Sequence, residues 1–165
     1  MKSHRLLAAV FLSGFSIMAN ASQLARFASD RASVPLPESF QVTVTGDDVV
    51  ATFGADGDHT LEISLLADLS KPGGPHDLAF NFVKAQGAKK GAKVLSDGER
   101  AAFSEAGEQE KRGRRVYQAM HWQIGVGNCV FTMTLTAPLP MSKELDEFLG
   151  APLNAIVNKV SCAAP

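Results

Sequence analysis

Residues 115–136 alternate more regularly than any other part of this chain. Val116, Met120, Trp122 and Ile124 fall mostly on one parity, and Arg115, Tyr117, His121 and Gln123 on the other. After Gly125-Val126-Gly127 the pattern resumes, with Cys129, Phe131, Met133 and Leu135 set against Val130, Thr132, Thr134 and Thr136. Strand side chains point alternately to the two faces, so a period of two over this span predicts two half-buried strands joined as a hairpin. One face belongs to a core that includes Trp122 and Phe131, and the other is polar. A slip of one residue would turn every apolar side chain to the polar face, which strongly specifies the register.

Upstream, the hydrophobic period changes in a readable order. Residues 22–33 show no clear period and fit either a poorly ordered lead-in or a short helix. Val34-Pro35-Leu36-Pro37 is an extended entry. Phe40, Val42 and Val44 then alternate with Gln41, Thr43 and Thr45 as far as a turn at Gly46-Asp47-Asp48. A second strand covers 49–53, a hairpin turn falls at Ala55-Asp56-Gly57-Asp58, and Leu61, Ile63 and Leu65 mark a third strand. Three strands in meander order imply an antiparallel sheet. Lys71-Pro72-Gly73-Gly74-Pro75 breaks that pattern, and Pro75 can stand in the first turn of a helix because its missing N–H is not needed there. Leu78, Phe82, Val83 and Ala85 would share the inner side of this helix, which runs to about Gln86. Lys89, Lys90 and Lys93 at its end read as a solvated terminus favoured by the helix dipole, or as a binding patch.

Two short strands follow at 93–96 and 100–104. Residues 105–115 carry Glu105, Glu108, Glu110, Lys111, Arg112, Arg114 and Arg115 around Gly107 and Gly113, which reads as a solvated hairpin loop or as a partner contact. Past the long hairpin, Ser142 can cap a last helix with Leu145, Phe148 and Leu149 inward. Gly150-Ala151-Pro152 should kink or interrupt it, and Leu153, Ile156, Val157 and Val160 resume the apolar stripe.

The N-terminus predicts export. Lys2 and Arg5 precede an apolar run over 6–18 that ends in Ala19-Asn20-Ala21, the pattern of a secretory leader cleaved after Ala21, and the run is too short for a stable membrane span. Residues 22–165 would then form a single globular domain, with no lipid-attachment cysteine at its start. Loss of Lys2 and Arg5 takes the formal charge from −1 to −3, too mild to hold nucleic acid or an anionic membrane by bulk charge. Cys129 and Cys162 are an even pair in a chain bound for an oxidising compartment, and a disulfide is the economical reading; two unpaired thiols are the alternative. A bridge would require the final helix to cross the core face of the Cys129 strand.

The opening Leu36-Pro37-Glu38-Ser39-Phe40, the meander, the helix, the hairpin ending in Thr132-Met133-Thr134-Leu135-Thr136-Ala137 and the terminal helix together resemble the PsbP-like superfamily, the group of PsbP, DcrB and LpqN-like proteins. That resemblance implies an α+β fold, an antiparallel sheet of about six strands packed with two or three helices. It also implies a binding or assembly role without cofactor, since the group shares no catalytic residues to carry over. The cysteine pair is a departure from it.

His59, His76 and His121 have no spacing that forces convergence. His59 beside Asp56 and Asp58 suggests a metal only weakly, because the ligand ladder and distal glutamate of a calcium loop are missing; a polar hairpin turn suffices. No nucleophile-elbow, zinc-helix or phosphate-loop motif occurs. A Ser-His-acid site assembled across the fold would escape sequence reading. The sequence therefore points to a soluble, non-catalytic periplasmic protein acting through contact with an envelope protein, with an immunity-type inhibitor of a secreted toxin as the alternative and a small hydrolase behind both. The polar hairpin face is the candidate contact: Tyr117 as anchor, with Arg115, His121, Gln123, Thr132 and Thr134. Plain solvation, or a helix laid over part of that face, would explain the same residues.

Overall fold

The computed structural model describes residues 22–163; the leader assigned to 1–21 lies outside the described residues. The chain order is β1 (Ser22–Phe27), β2 (Ala32–Pro37), β3 (Gln41–Thr45), β4 (Asp48–Phe53) and β5 (His59–Asp68), then helix α1 (Leu78–Lys89). There follow β6 (Leu95–Ser96), β7 (Arg100–Arg112), β8 (Arg115–Val126), β9 (Cys129–Leu139), α2 (Lys143–Leu149), α3 (Ala151–Lys159) and β10 (Ser161–Cys162). The strands form two antiparallel sheets, a seven-stranded one ordered β3-β4-β5-β9-β8-β7-β6 and a three-stranded one ordered β1-β2-β10. The α+β class stands, with more strands than expected and in two sheets.

The extra strands have identifiable origins. Residues 22–33 are neither a helix nor a loose lead-in: β1 pairs with β2 along its whole length, from Ser22 opposite Pro37 to Phe27 opposite Ala32. Its signal is weak because only Ala25 and Phe27 enter the core while Leu24 points outward, 54% exposed. Ala28, Ser29 and Asp30 turn the chain with positive φ, a backbone that few non-glycine residues adopt. Prolines 35 and 37 carry no N–H to donate, and β10 pairs only with Ser33 and Ala32, short of them. β10 itself is only two residues long.

The long hairpin has the predicted register, Trp122 opposite Met133 and Ile124 opposite Phe131. The charged 105–115 segment is not a loop. β7 continues through it to Arg112 and turns tightly at Gly113-Arg114, with a bulge between Ala106 and Gln109. β6 covers only Ala101 and Ala102, so the rest of β7 is the edge of the sheet, where charged side chains protect it from pairing with other chains and a polar run is compatible with a strand.

The main core lies between the seven-stranded sheet and a layer made of the small sheet with α2 and α3. Phe131, Leu61, Ile63, Ile124, Leu135 and Leu36 are fully buried there. Trp122 packs against this core but is only partly buried. Ser142 caps α2, its Oγ accepting from the Leu145 N–H at 3.1 Å, and Gly150 separates α2 from α3, where Pro152 stands in the first turn. The Cys129–Cys162 disulfide joins the start of β9 to β10, with Cα atoms 5.8 Å apart.

Helix α1 packs on the opposite face of the large sheet, and of the predicted side chains Val83 alone is fully buried there. Pro75 precedes the helix, which starts at Leu78, and its inner positions are Ala79, Val83 and Gly87; Phe82 is 40% exposed and Ala85 is exposed. Close approach decides this. A Cβ on Gly125 would run into the Ala79 carbonyl, and one on Gly87 into Val94 and, at 3.0 Å, Phe103. Small residues let helix and sheet meet, so Phe82 turns out while Phe80 packs partly buried at the side. Val130, assigned by parity to the polar face, is fully buried in this second cluster with Ala101 and Phe103.

Candidate functional site

α1 covers only one end of the sheet face that looks away from the main core, and the rest is polar. On β8 and β9, Gln123 stands opposite Thr132, His121 opposite Thr134, and Tyr117 opposite Pro138. β7 adds Glu105 opposite His121 and Glu110 opposite Tyr117, and β5 adds Glu62 opposite Thr134. One row of side chains, Glu62, Thr134, His121 and Glu105, therefore crosses four neighbouring strands on one face.

Two open hollows adjoin along this face. The first, about 280 Å³, is lined by Glu105, His121, Gln123, Thr132 and Thr134 with the flanking Trp122 and Met133. The second, about 300 Å³, runs from His121 and Thr136 to Tyr117, Glu108, Glu110 and Arg112. His121 belongs to both. Its Nδ1 lies 2.9 Å from the Thr134 hydroxyl, and its other ring edge rests on the β7 bulge, where a Cβ on Gly107 would come within 2.6 Å of Nε2. Glycine at 107 is what lets the imidazole lie flat there. Gln123 lines the first hollow with a buried Oε1 that has no hydrogen-bond partner among the described residues.

The charged residues around the hollows are largely paired. Lys90, at the C-terminal end of α1, donates to Glu105 at 2.7 Å. Arg112 sits over the Tyr117 ring, 5.0 Å from its centroid, and pairs with Glu110 at 2.7 Å. Its hydrogen bond to Glu110 and that carboxylate's charge hold the guanidinium protonated even more firmly than usual. Arg115 leans away from Tyr117 and donates to Asp58 at 3.0 Å.

Thr134, His121 and Glu105 juxtapose a hydroxyl, an imidazole and a carboxylate. A nucleophile triad needs the acid to orient the imidazole through its second nitrogen. Here Nε2 meets the bulge backbone and the Glu105 carboxylate is held by Lys90, so the row is arranged for hydrogen bonding across a surface. Of the residues singled out in the sequence, Tyr117, His121, Gln123, Thr132 and Thr134 lie together, and Arg115 is drawn to the β4–β5 turn. Glu62, Glu105 and the Gly107 bulge were not legible as neighbours, because cross-strand register alone places them.

His59 was expected on a polar turn and is instead 4% exposed. It stacks on Phe53 at 5.0 Å between centroids, near Phe40 and Phe148. Asp58 Oδ1 lies 2.9 Å from its Nδ1 without the alignment of a hydrogen bond, and both ring nitrogens are unpartnered among the described residues. No three His, Cys, Asp or Glu side chains converge as a metal-ligand set among the described residues.

No known family profile matches the chain, and no curated protein does. Its fold is similar to a solved structure from Bacteroides thetaiotaomicron, at 15% identity and a TM-score of 0.58 over 84% of this chain and 48% of that one. The chain thus spans about half the length of that structure. It is also similar to cyanobacterial PsbP from Synechocystis, at 14% identity and a TM-score of 0.36 over 90% of this chain and 96% of that one. LpqN, involved in cell envelope biogenesis of Mycobacterium tuberculosis, is matched at 12% identity and a TM-score of 0.44 over 87% and 91%. At these identities the likeness concerns fold alone. Among the described residues no helix is long and apolar enough to cross a membrane.

Proposed function

We propose that this chain is an exported, non-catalytic binding protein that docks a protein of the cell envelope through the open face of its large sheet. In this reading the leader over 1–21 is removed and residues 22–165 act as one periplasmic domain. The observation that carries it is the open row Glu62, Thr134, His121 and Glu105, which crosses four neighbouring strands on the face that holds the first hollow. Tyr117 and Arg112 supply planar contact area at the neighbouring hollow.

The test is capture of a partner from periplasmic extract by the tagged mature protein, compared with Tyr117→Ala/His121→Ala. The double variant should lose a partner that the parent retains, with its thermal midpoint unchanged, because neither side chain enters the core. Full capture by the double variant would overturn this assignment of the surface.

A further inference from the structure

The core face of the large sheet is left open at its last strand. Leu95 on β6 stands opposite Ala102, and Ala102 opposite Ile124, so Leu95 ends a row whose inner members belong to the main core. It is nevertheless 60% exposed. Leu95, Ala102 and the partly buried Val157 of α3 line an open hollow of about 200 Å³ at this edge. The hollow lies on the core side of the sheet, away from the polar face assigned above.

Two opposite charges line the same hollow. Arg100, the first residue of β7, donates from Nη2 to the Val160 carbonyl at 3.1 Å, which fixes its guanidinium beside the end of α3. Asp97, in the turn between β6 and β7, accepts the Glu99 and Arg100 N–H groups on Oδ1 at 3.1 and 2.8 Å. Those two N–H groups, opposed by some desolvation, and then the Arg100 charge hold its carboxyl below the usual range, so it is ionised at neutral pH. No ion pair joins the two side chains among the described residues. Asn154 and Asn158, one turn apart on α3, complete the polar rim.

This doublet restricts the ligand. An anion on Arg100 would also meet Asp97, and a cation on Asp97 would meet Arg100, so each attraction is offset by a repulsion. A molecule carrying both charges a few bonds apart gains at both ends through charge-assisted hydrogen bonds. An aliphatic group between Leu95 and Val157 would lengthen the core row by one side chain. We propose that this hollow binds a free α-amino acid with an aliphatic side chain. Its carboxylate faces Arg100, its ammonium group faces Asp97, and its side chain lies between Leu95 and Val157. A residue inside a peptide has spent both charges in amide bonds and lacks this complementarity.

The protein is purified with its disulfide formed and titrated with L-leucine, following the methyl resonances of Leu95 and Val157 and the side-chain amides of Asn154 and Asn158. These should move together and saturate. N-acetyl-leucine and leucinamide each lack one charge, and each should bind at least about tenfold more weakly. Asp97→Asn keeps an oxygen for the two turn N–H groups but removes the charge; it should weaken leucine at least about tenfold with the thermal midpoint nearly unchanged. Absence of movement at about 50 mM leucine would overturn the proposal, since binding weaker than that recognises nothing. Equal affinity for leucine and leucinamide, or undiminished leucine binding by Asp97→Asn, would overturn it as well.

Discussion

Opening the Cys129–Cys162 bridge should separate two kinds of stability in this fold. The bridge closes a loop of 33 residues, and the chain-entropy relation gives about 3.7 kcal/mol for restricting the unfolded chain over that length. In a domain of this size that corresponds to a fall of about 10–15 °C in thermal midpoint. The local consequence is sharper. β10 pairs with β2 at only two positions, Ser161 with Ser33 and Cys162 with Ala32, followed by the Ala163 N–H to the Arg31 carbonyl at 2.8 Å. So short a strand cannot hold itself, and without the bridge it should fray from the sheet before the core opens. Wild type with and without reductant isolates the bridge. Cys129→Ala/Cys162→Ala adds roughly 1 kcal/mol for the void left at the fully buried Cys129. Thermal melting reports the global term, and amide exchange at Ala163 reports the local one. A reduced wild type melting within about 3 °C of the oxidised form would refute the loop-closure reasoning. Retained protection at Ala163 in the double variant would show that β10 is held by pairing alone.

Phe131→Ala should cost about 3–5 kcal/mol in urea unfolding, and Trp122→Ala clearly less, because Phe131 is fully buried and Trp122 only partly so. Gly125→Ala should displace α1 and lower the midpoint, since the new methyl group overlaps the Ala79 carbonyl; a midpoint equal to wild type would refute the close-approach account of that helix. The Asp68 carboxyl is held below the usual range by its hydrogen bond with the Ser70 side chain, opposed by partial burial, then by the Ser70 N–H and by Arg31. Its stabilisation is complete above about pH 4 and fades as pH falls through the lowered value, so Asp68→Asn should flatten the acid limb of a melting-versus-pH curve. Gly107→Ala should lower the midpoint, since the new methyl group would lie 2.7 Å from the Ala119 carbonyl, and should push the His121 ring off the bulge, visible as a shift of its imidazole resonances.

The α+β class, the long hairpin with its register, the capped and interrupted C-terminal helices and the cysteine pairing were legible in the sequence. Each rests on a local signal: a period of two, a serine before an apolar stripe, a Gly-Ala-Pro break, an even cysteine count. Residues 22–27 were not legible, because alternation over six residues with one outward leucine is too weak to separate strand from helix. The inner face of α1 was misread for the opposite reason. Its bulky residues suggested a packing face, whereas the fully buried positions against the sheet, near Gly125 and Phe103, are alanine, valine and glycine, with Phe80 only partly buried beside them.

For the candidate site, the sequence alone determined which side chains share a strand face, since backbone geometry alternates Tyr117, His121 and Gln123 whatever lies beside them. It could not determine what stands across from them. Glu62 lies nearly sixty residues before His121 in the chain, and Glu105 reaches the same row only because β7 runs straight through a charged stretch that reads as a loop. Tertiary structure also decided that α1 hides Val130 and leaves Thr132 and Thr134 open, and that Arg115 turns to Asp58. Periodicity is a property of one segment and is written in it. Register, coverage and ion pairing are choices among distant segments, settled only when their surfaces compete for the same partners.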